Sequence, residues 1–324
     1  THYLWRDILT KRKLSRIIEN YAQVVEEVDA DTKKKSVKQI WPRYHQLDCV
    51  EKLLADVQEN GVGKRYLIQH SAGSGKSNSI AWLAHQLIGL EKDGHPMIDS
   101  VLVVTDRRIL DKQIRNTIKQ FMQVKNTAVW AEHSGDLRKA IQDGKRIIIS
   151  TIEKFPYIIS EIGQEHKNNK FAIIIDEAHS GQSGRNSANM NLALSGLATD
   201  DEADNEDKIN AMMEGRKLVS SASYFAFTAT PKNKTEEMFG VAYEEDGEIK
   251  HRPFHVYTMK QAIQEGFILD VLRNYTTIDS WYKIMKTVED DPMFDKKRAQ
   301  KKLRAFVEGN SDVIAKKAAM MVEH

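Results

Sequence analysis

The stretch from His70 to Ser77 constrains the fold of this chain more than any other feature of its sequence. It reads His-Ser-Ala-Gly-Ser-Gly-Lys-Ser, follows the apolar run Tyr66–Ile68, and precedes a segment whose apolar residues are spaced as on one face of a helix. Two glycines permit a tight turn with backbone N–H groups aimed at an anion, and the helix N-terminus adds partial positive charge. Strand, glycine-rich turn and helix in this order predict a phosphate-binding loop at residues 70–77 (the phosphate loop).

The phosphate loop also predicts which residues hold a nucleotide. The ammonium group of Lys76 is expected to bind the β- and γ-phosphates of ATP, and the hydroxyl of Ser77 to ligate Mg²⁺. His70 stands where the G-x-x-x-x-G-K-[ST] pattern has its first glycine, so an ordinary turn ending in Lys-Ser is the alternative for the loop taken alone. The predicted ATP-binding residues of the loop are Gly73, Ser74, Gly75, Lys76 and Ser77.

A second motif favours nucleotide binding over an ordinary turn. The continuous apolar run Phe171–Ile175 is typical of a strand buried on both faces, and Asp176 and Glu177 follow at its carboxyl end. In P-loop ATPases the first acid holds Mg²⁺ and the second polarises the attacking water. A solvated acid pair at a helix start is the alternative. The predicted catalytic residues are Lys76, Asp176 and Glu177, and the predicted Mg²⁺ ligands are Ser77 and Asp176.

Further apolar runs repeat the same arrangement along the chain. Val101–Val104, Ile147–Ile149 and Tyr224–Phe227 each lead into small or charged residues, and helical spacing separates several of the runs. Alternating strands and helices imply a parallel α/β sheet with flanking helices. Because such sheets bind ligands at the carboxyl ends of their strands, the polar strand ends are expected to gather at one edge.

Composition narrows the classes of protein that fit. The formal net charge is only +2, so a nucleic-acid surface would have to be a local patch. The single cysteine, Cys49, excludes an internal disulfide framework and fits a reducing compartment. No apolar run is long enough to cross a bilayer.

The chain is expected to divide into three parts. An apolar stripe predicts a helix over residues 1–28, and a polar segment with a lysine run follows, so residues 1–38 are expected to be a linker helix and a charged loop. Residues 39–231 contain the motifs and would form a first ATPase domain. The pattern changes after Pro231, and residues 232–324 would begin a second, incomplete domain.

The motifs taken together resemble a known family. Superfamily two helicases and translocases are matched by Gln46, residues 72–77, Thr105–Arg107, Asp176–His179 and Thr228–Thr230. The motor (R) subunit of type I restriction–modification enzymes is matched more narrowly by residues 69–73, 103–108, 226–231 and 260–270. This resemblance implies RecA-like domains, and it makes His70 an ordinary residue at its position.

The resemblance also implies roles for single residues. Gln46 would read adenine. Coupling of hydrolysis to movement would involve His179, Thr228 and Thr230. The DNA track would pass near Arg107, Arg108 and Thr151.

As a whole, the resemblance implies an ATP-dependent double-stranded DNA translocase segment of a type I restriction endonuclease. Its cofactors would be ATP and Mg²⁺, and its partners duplex DNA and the methyltransferase and specificity subunits, in a bacterial or archaeal cytoplasm. The nuclease domain and the later helicase motifs, with their arginine, would lie outside residues 1–324. The alternatives are an RNA or DNA helicase of the Asp-Glu-Ala-His type and a nucleotide-gated scaffold that moves nothing.

Overall fold

The computed structural model describes the following residues: 2–28, 35–105, 117–118, 128–131, 133–151, 154, 158, 162, 169–176 and 221–270. The chain divides into two compact units, residues 1–264 and residues 265–324. Of the second unit only residues 265–270 are described.

The described strands and helices of the first unit alternate along most of its length. The strands are β1 (Gln23–Val28), β2 (Lys35–Ile40), β3 (Arg65–His70), β4 (Glu91–Lys92), β5 (His95–Pro96), β6 (Ser100–Thr105), β7 (Ala128–Trp130), β8 (Ile147–Thr151), β9 (Phe171–Asp176), β10 (Ala222–Thr228), β11 (Val241–Glu245), β12 (Glu248–Arg252) and β13 (His255–Tyr257). The helices are α1 (Lys11–Asn20), α2 (Tyr44–Asn60), α3 (Lys76–Ile88), α4 (Ser134–Gln142), α5 (Asn233–Phe239) and α6 (Met259–Gln264), and a π-helical turn (Leu4–Ile8) precedes α1.

A seven-stranded sheet with the order β13–β3–β10–β9–β6–β8–β7 forms the centre of this unit. Each pairing between its described strands is parallel. The apolar runs explain this placement, because successive residues of a strand point to opposite faces and both faces are covered. On β3, for example, Ile68 packs on the same side as α2 and α3, whereas Leu67 joins the cluster that contains residues of α4 and α5. The predicted parallel α/β sheet with flanking helices is confirmed.

The N-terminal segment differs from its prediction. The helix ends at Asn20, and β1 and β2 then pair antiparallel, with Val25 opposite Lys38. Ile17, Tyr21 and Val25 are all buried, which produced the apparent helical stripe because they are four residues apart. Repeated β-branched valines favour a strand instead. The helix expected over residues 1–28 is therefore shorter and is followed by a strand, and most of the expected charged loop, residues 29–34, lies outside the described residues.

The first unit also extends beyond the boundary expected at residue 231. Strand β13 pairs with β3 and forms one end of the central sheet as described. Residues 232–264 thus belong to the first unit. The assignment of the chain beyond them to a second RecA-like domain stays a prediction.

None of the described helices is both long and apolar enough to cross a membrane. Cys49 is a free thiol buried in α2. Trp82 of α3 donates a hydrogen bond of 2.9 Å from its indole Nε1 to the backbone oxygen of Tyr21. This contact fixes the chain just after α1 against the helix that follows the phosphate loop.

Candidate nucleotide-binding site

The phosphate loop joins β3 to α3 by a left-handed turn. Gly73 has φ of 74° and Gly75 has φ of 79°, a backbone region that glycine enters without the penalty of a Cβ atom. The N–H of Ser74 donates to the oxygen of Ser71 at 3.3 Å and closes the turn. The predicted strand, glycine-rich turn and helix are therefore present in the order that phosphate binding requires.

Two side chains from the start of α2 hold the carbonyls of this turn. His45 Nε2 lies 3.0 Å from the oxygen of Ser74, and Gln46 Nε2 donates to the oxygen of Gly75 at 2.9 Å. In a trans peptide the N–H points opposite to the carbonyl, and the described chain contains no cis bond. Holding these two carbonyls towards α2 therefore turns the N–H groups of Gly75 and Lys76 to the other side, where an anion can bind them.

Gln46 uses both ends of its amide on the protein. Its Oε1 accepts from the backbone N–H of Arg43 at 2.8 Å, its Nε2 is bound to Gly75, and only 3% of the residue is exposed. A Cβ atom added to Gly75 would lie 2.6 Å from Gln46 Nε2, so the glycine also makes room for the amide. The adenine contact expected for Gln46 stays a prediction.

Lys76 is the first residue of α3 and is 8% exposed. Its Nζ donates to the backbone oxygens of His70 and Ser71 at 3.4 and 3.5 Å. These bonds are long, and a phosphate would offer shorter, charge-assisted ones. The side chain of Lys76 thus lies within the phosphate loop, as the sequence predicted.

The neighbouring strand ends bring an acid to the same edge of the sheet. Asp176 ends β9 and pairs with Phe227 of β10, and Thr228 of β10 pairs with Gln69 of β3. With strands about 4.8 Å apart, Asp176 lies two strands, or roughly 10 Å, from the strand that enters the phosphate loop. Asp176 is 4% exposed and Thr228 is fully buried.

The oxygen donors at this edge fit the requirements of Mg²⁺. A carboxylate from Asp176 and a hydroxyl from half-buried Ser77 are hard ligands of the kind that this ion prefers. Glu177 and His179 lie outside the described residues, so their predicted roles stay predictions.

The residues predicted to lie near DNA are only partly described. Thr151 ends β8, is 6% exposed, and accepts a hydrogen bond of 3.1 Å from Lys154 Nζ. Its neighbour in the sheet is Thr105, the last described residue of β6. Arg107 and Arg108, which follow it, lie outside the described residues. Thr230 is exposed just after β10, and its coupling role stays a prediction.

Sequence reasoning missed the contribution of β13 to this site. The N–H of Ser71 donates to the oxygen of Tyr257 at 3.0 Å, and the Tyr257 ring stacks on His45 at 3.7 Å between centroids with an angle of 4°. His255 Nδ1 lies 2.8 Å from His70 Nε2. A strand of only three residues gives no usable periodicity, so no signal in the sequence pointed to these contacts.

Burial favours the neutral form of His70 and of His255. Burial, with the nearby His255, His45 and Lys76, lowers the pKa of His70 to about 2. Burial also lowers the pKa of His255, although its hydrogen bond with Asp48 opposes the shift. Burial by itself would raise the pKa of Asp48, but hydrogen bonds from Lys52 and His255 outweigh it and hold that pKa below its usual value.

A glycine loop between a strand and a helix, with an acid ending a nearby strand of one parallel sheet, defines a P-loop ATPase domain. The particular family follows from sequence comparison. The model of the SWI2/SNF2 ATPase family matches residues 45–304, and the chain belongs to this family.

The curated relatives that match are endonuclease subunits of type I restriction enzymes, which confirms the resemblance seen in the motifs. The SauMSSORF170P endonuclease subunit of Staphylococcus aureus strain MSSA476 is 25% identical over 261 residues, covering 78% of this chain and 24% of the relative. The HindI endonuclease subunit of Haemophilus influenzae is 24% identical over 257 residues, covering 75% of this chain and 22% of the relative. The chain spans about a quarter of the length of these relatives.

Among solved structures, the ATP-dependent type ISP restriction-modification enzyme LlaBIII bound to DNA is also similar to this chain. It aligns with 79% of this chain and 18% of its own, at 16% identity and a TM-score of 0.45.

Proposed function

We propose that this segment is the ATP-hydrolysing motor of a type I restriction endonuclease, which moves double-stranded DNA before a nuclease domain cuts it. The observation that carries the nucleotide part is the pair of contacts from His45 and Gln46 to the carbonyls of Ser74 and Gly75. They orient the turn for an anion in advance, so little ordering would be required when phosphate binds.

The proposed roles follow the geometry of the phosphate loop. The N–H groups of Gly75 and Lys76 would donate to the phosphates from the turn that Gly73 and Ser74 help to form, and the ammonium group of Lys76 would neutralise charge on the β- and γ-phosphates. Ser77 and Asp176 would hold Mg²⁺, and the bound ion would neutralise negative charge on the phosphates. Glu177 would then take the proton of the attacking water. Gln46 would hold the loop in shape through its hydrogen bond to Gly75, and its contact with adenine stays a prediction.

The substrate and the partners are proposed from the relatives. Their names describe endonuclease subunits of type I restriction enzymes. Duplex DNA is therefore the proposed track, with Arg107, Arg108 and Thr151 near it and with His179, Thr228 and Thr230 transmitting hydrolysis to it. The methyltransferase and specificity subunits would complete the complex, which would act in the bacterial or archaeal cytoplasm.

A comparison of polynucleotides tests this proposal. Steady-state ATP hydrolysis by the purified full-length protein is measured alone, with duplex DNA, and with single-stranded RNA of equal length. We expect duplex DNA to stimulate hydrolysis and RNA to leave it at the basal rate. Stimulation by RNA alone would contradict the proposal and favour a helicase of the Asp-Glu-Ala-His type.

A further inference from the structure

Three side chains form a chain of hydrogen bonds behind the phosphate loop. Asp48 lies on α2, His255 on β13, and His70 at the last position of β3, where the phosphate loop begins. His255 Nε2 lies 3.0 Å from Asp48 Oδ2, and His255 Nδ1 lies 2.8 Å from His70 Nε2. His70 is fully buried and His255 is 8% exposed, so water competes little for the contact between them, whereas the side chain of Asp48 is 41% exposed.

The chemistry of the groups fixes which atoms carry protons. The pKa of Asp48 is held low, so its carboxylate can only accept, and His255 Nε2 must donate to it. A neutral His255 then has a bare Nδ1, which accepts from the Nε2–H of His70. His70 Nδ1 is left buried, without a hydrogen-bond partner among the described residues. Within the described residues, the hydrogen bond to His255 of β13 therefore sets the tautomer of His70.

A metal ion is the other arrangement that these residues suggest, because Cys49 Sγ and the two ring nitrogens lie within 4.8 Å of one another. Two histidine nitrogens bound to one tetrahedral zinc at about 2.0–2.1 Å would be about 3.4 Å apart. The observed 2.8 Å between His70 and His255 is instead a hydrogen-bond distance. The hydrogen-bonded chain also accounts for Asp48 without any ion, so it is the interpretation that the distances favour.

Strand β13 contacts the phosphate loop at other points as well. The oxygen of Tyr257 accepts from the N–H of Ser71, and the Tyr257 ring stacks on His45, which in turn contacts Ser74. His70 and Ser71 thus contact this short strand directly, and Ser74 contacts it through His45, although the strand carries none of the recognised motifs. Within the part of the chain that the structure describes, His255 makes the hydrogen bond from this strand to the side chain of His70.

We propose that His255 is a positioning residue for nucleotide binding, acting through His70 on the shape of the phosphate loop. The proposal rests on the proposed function, since it assumes that the loop binds nucleotide. Among the described contacts, the side chain of His255 reaches the loop through His70, so removing its acceptor nitrogen should weaken nucleotide binding and leave the rate of the chemical step unchanged. We expect about a 3- to 10-fold rise in Kd and KM, the factor that one buried hydrogen bond is worth, with kcat unchanged.

Two substitutions separate the two hydrogen bonds of His255. In His255→Asn the amide oxygen can occupy the place of Nδ1 and still accept from His70. In His255→Gln the longer amide can reach Asp48 but leaves His70 without an acceptor. His95→Asn, at an exposed position of β5, makes the same kind of change away from the loop and serves as the control.

For the full-length wild type and each full-length variant, the experiment measures the Kd of a non-hydrolysable ATP analogue, the KM and kcat of ATP hydrolysis, and the thermal midpoint of unfolding. The tautomers of the histidine rings are read by ¹⁵N NMR. We expect the wild type to show the Nε2–H tautomer at His70, His255→Gln to bind 3- to 10-fold more weakly, and His255→Asn to recover most of that loss. Equal binding by His255→Gln and the wild type would overturn the proposal, as would equal losses in both variants.

Metal analysis of the purified protein completes the test. We expect less than one-tenth of an equivalent of zinc, on the order of adventitious binding. One equivalent of zinc that disappears in His255→Gln would overturn the hydrogen-bonded chain. A wild-type protein that binds no nucleotide would instead refute the proposed function, and the role of His255 with it.

Discussion

The substitution Gln46→Glu separates two roles that this residue could have. The new side chain keeps the size of the old one and still accepts from the N–H of Arg43, so α2 should begin at the same place. Its second carboxylate oxygen, however, replaces the N–H that donates to the oxygen of Gly75. The lost bond is worth about 1 kcal/mol, and an unpaired buried oxygen costs about 1–3 kcal/mol more. The total of about 2–4 kcal/mol corresponds to a loss of about 30-fold or more in nucleotide affinity.

Calorimetric titration with non-hydrolysable analogues of ATP and GTP distinguishes a role of Gln46 in shaping the loop from a role in contacting adenine. Because the contact seen in the structure is with the loop and not with a base, we expect the variant to lose the same factor for both nucleotides. Gln58→Glu, an exposed position on the same helix, adds the same charge elsewhere and should bind like the wild type. A loss confined to the ATP analogue would refute this reasoning and support the adenine contact that the sequence predicted.

Three further predictions concern the same loop. Lys76→Ala should weaken binding of the ATP analogue by about 10- to 150-fold, since bonds to charged groups are worth about 1.5–3 kcal/mol, while the circular dichroism spectrum stays unchanged; wild-type binding would contradict the assignment. Gly75→Ala and Gly61→Ala both place a Cβ at φ of 79°, but only Gly75 approaches Gln46, so calorimetry should show weaker binding for Gly75→Ala alone. In the unfolded chain His70 takes up a proton below about pH 6.5, whereas in the folded chain its lowered pKa keeps it neutral. The free energy of unfolding that this group contributes is therefore complete above that pH and decreases as the pH falls. Urea unfolding should show a loss of about 1.4 kcal/mol from this group between pH 7.5 and 5.5, absent in His70→Gln; an unchanged pH dependence in that variant would count against the buried neutral ring.

The sequence predicted the central sheet well because its strands are continuous apolar runs. A run such as Phe171–Ile175 places apolar side chains on both faces of its strand, so both faces of the sheet must be covered. This requirement is typical of a parallel sheet between layers of helices. The phosphate loop was equally predictable, since the pair of glycines before Lys76 restricts the backbone to few shapes.

The parts that sequence reasoning missed depend on contacts between distant residues. His70 and His255 are separated by 185 positions, and no local sequence pattern indicates that their side chains are in contact. Strand β1 was mistaken for helix because Ile17, Tyr21 and Val25 are buried at intervals of four, although only the first lies in α1. The hydrogen bond from Gln46 to the oxygen of Gly75 likewise joins residues that are distant in the sequence, and the sequence did not reveal it.

The central claim is that ATP hydrolysis by this segment drives movement along duplex DNA. Displacement of a third DNA strand from sites at increasing distances from the loading point measures that movement directly in the full-length complex. We expect a lag before displacement that grows in proportion to the distance and disappears without ATP. ATP hydrolysis without any distance-dependent displacement would contradict the claim and indicate a nucleotide-gated scaffold.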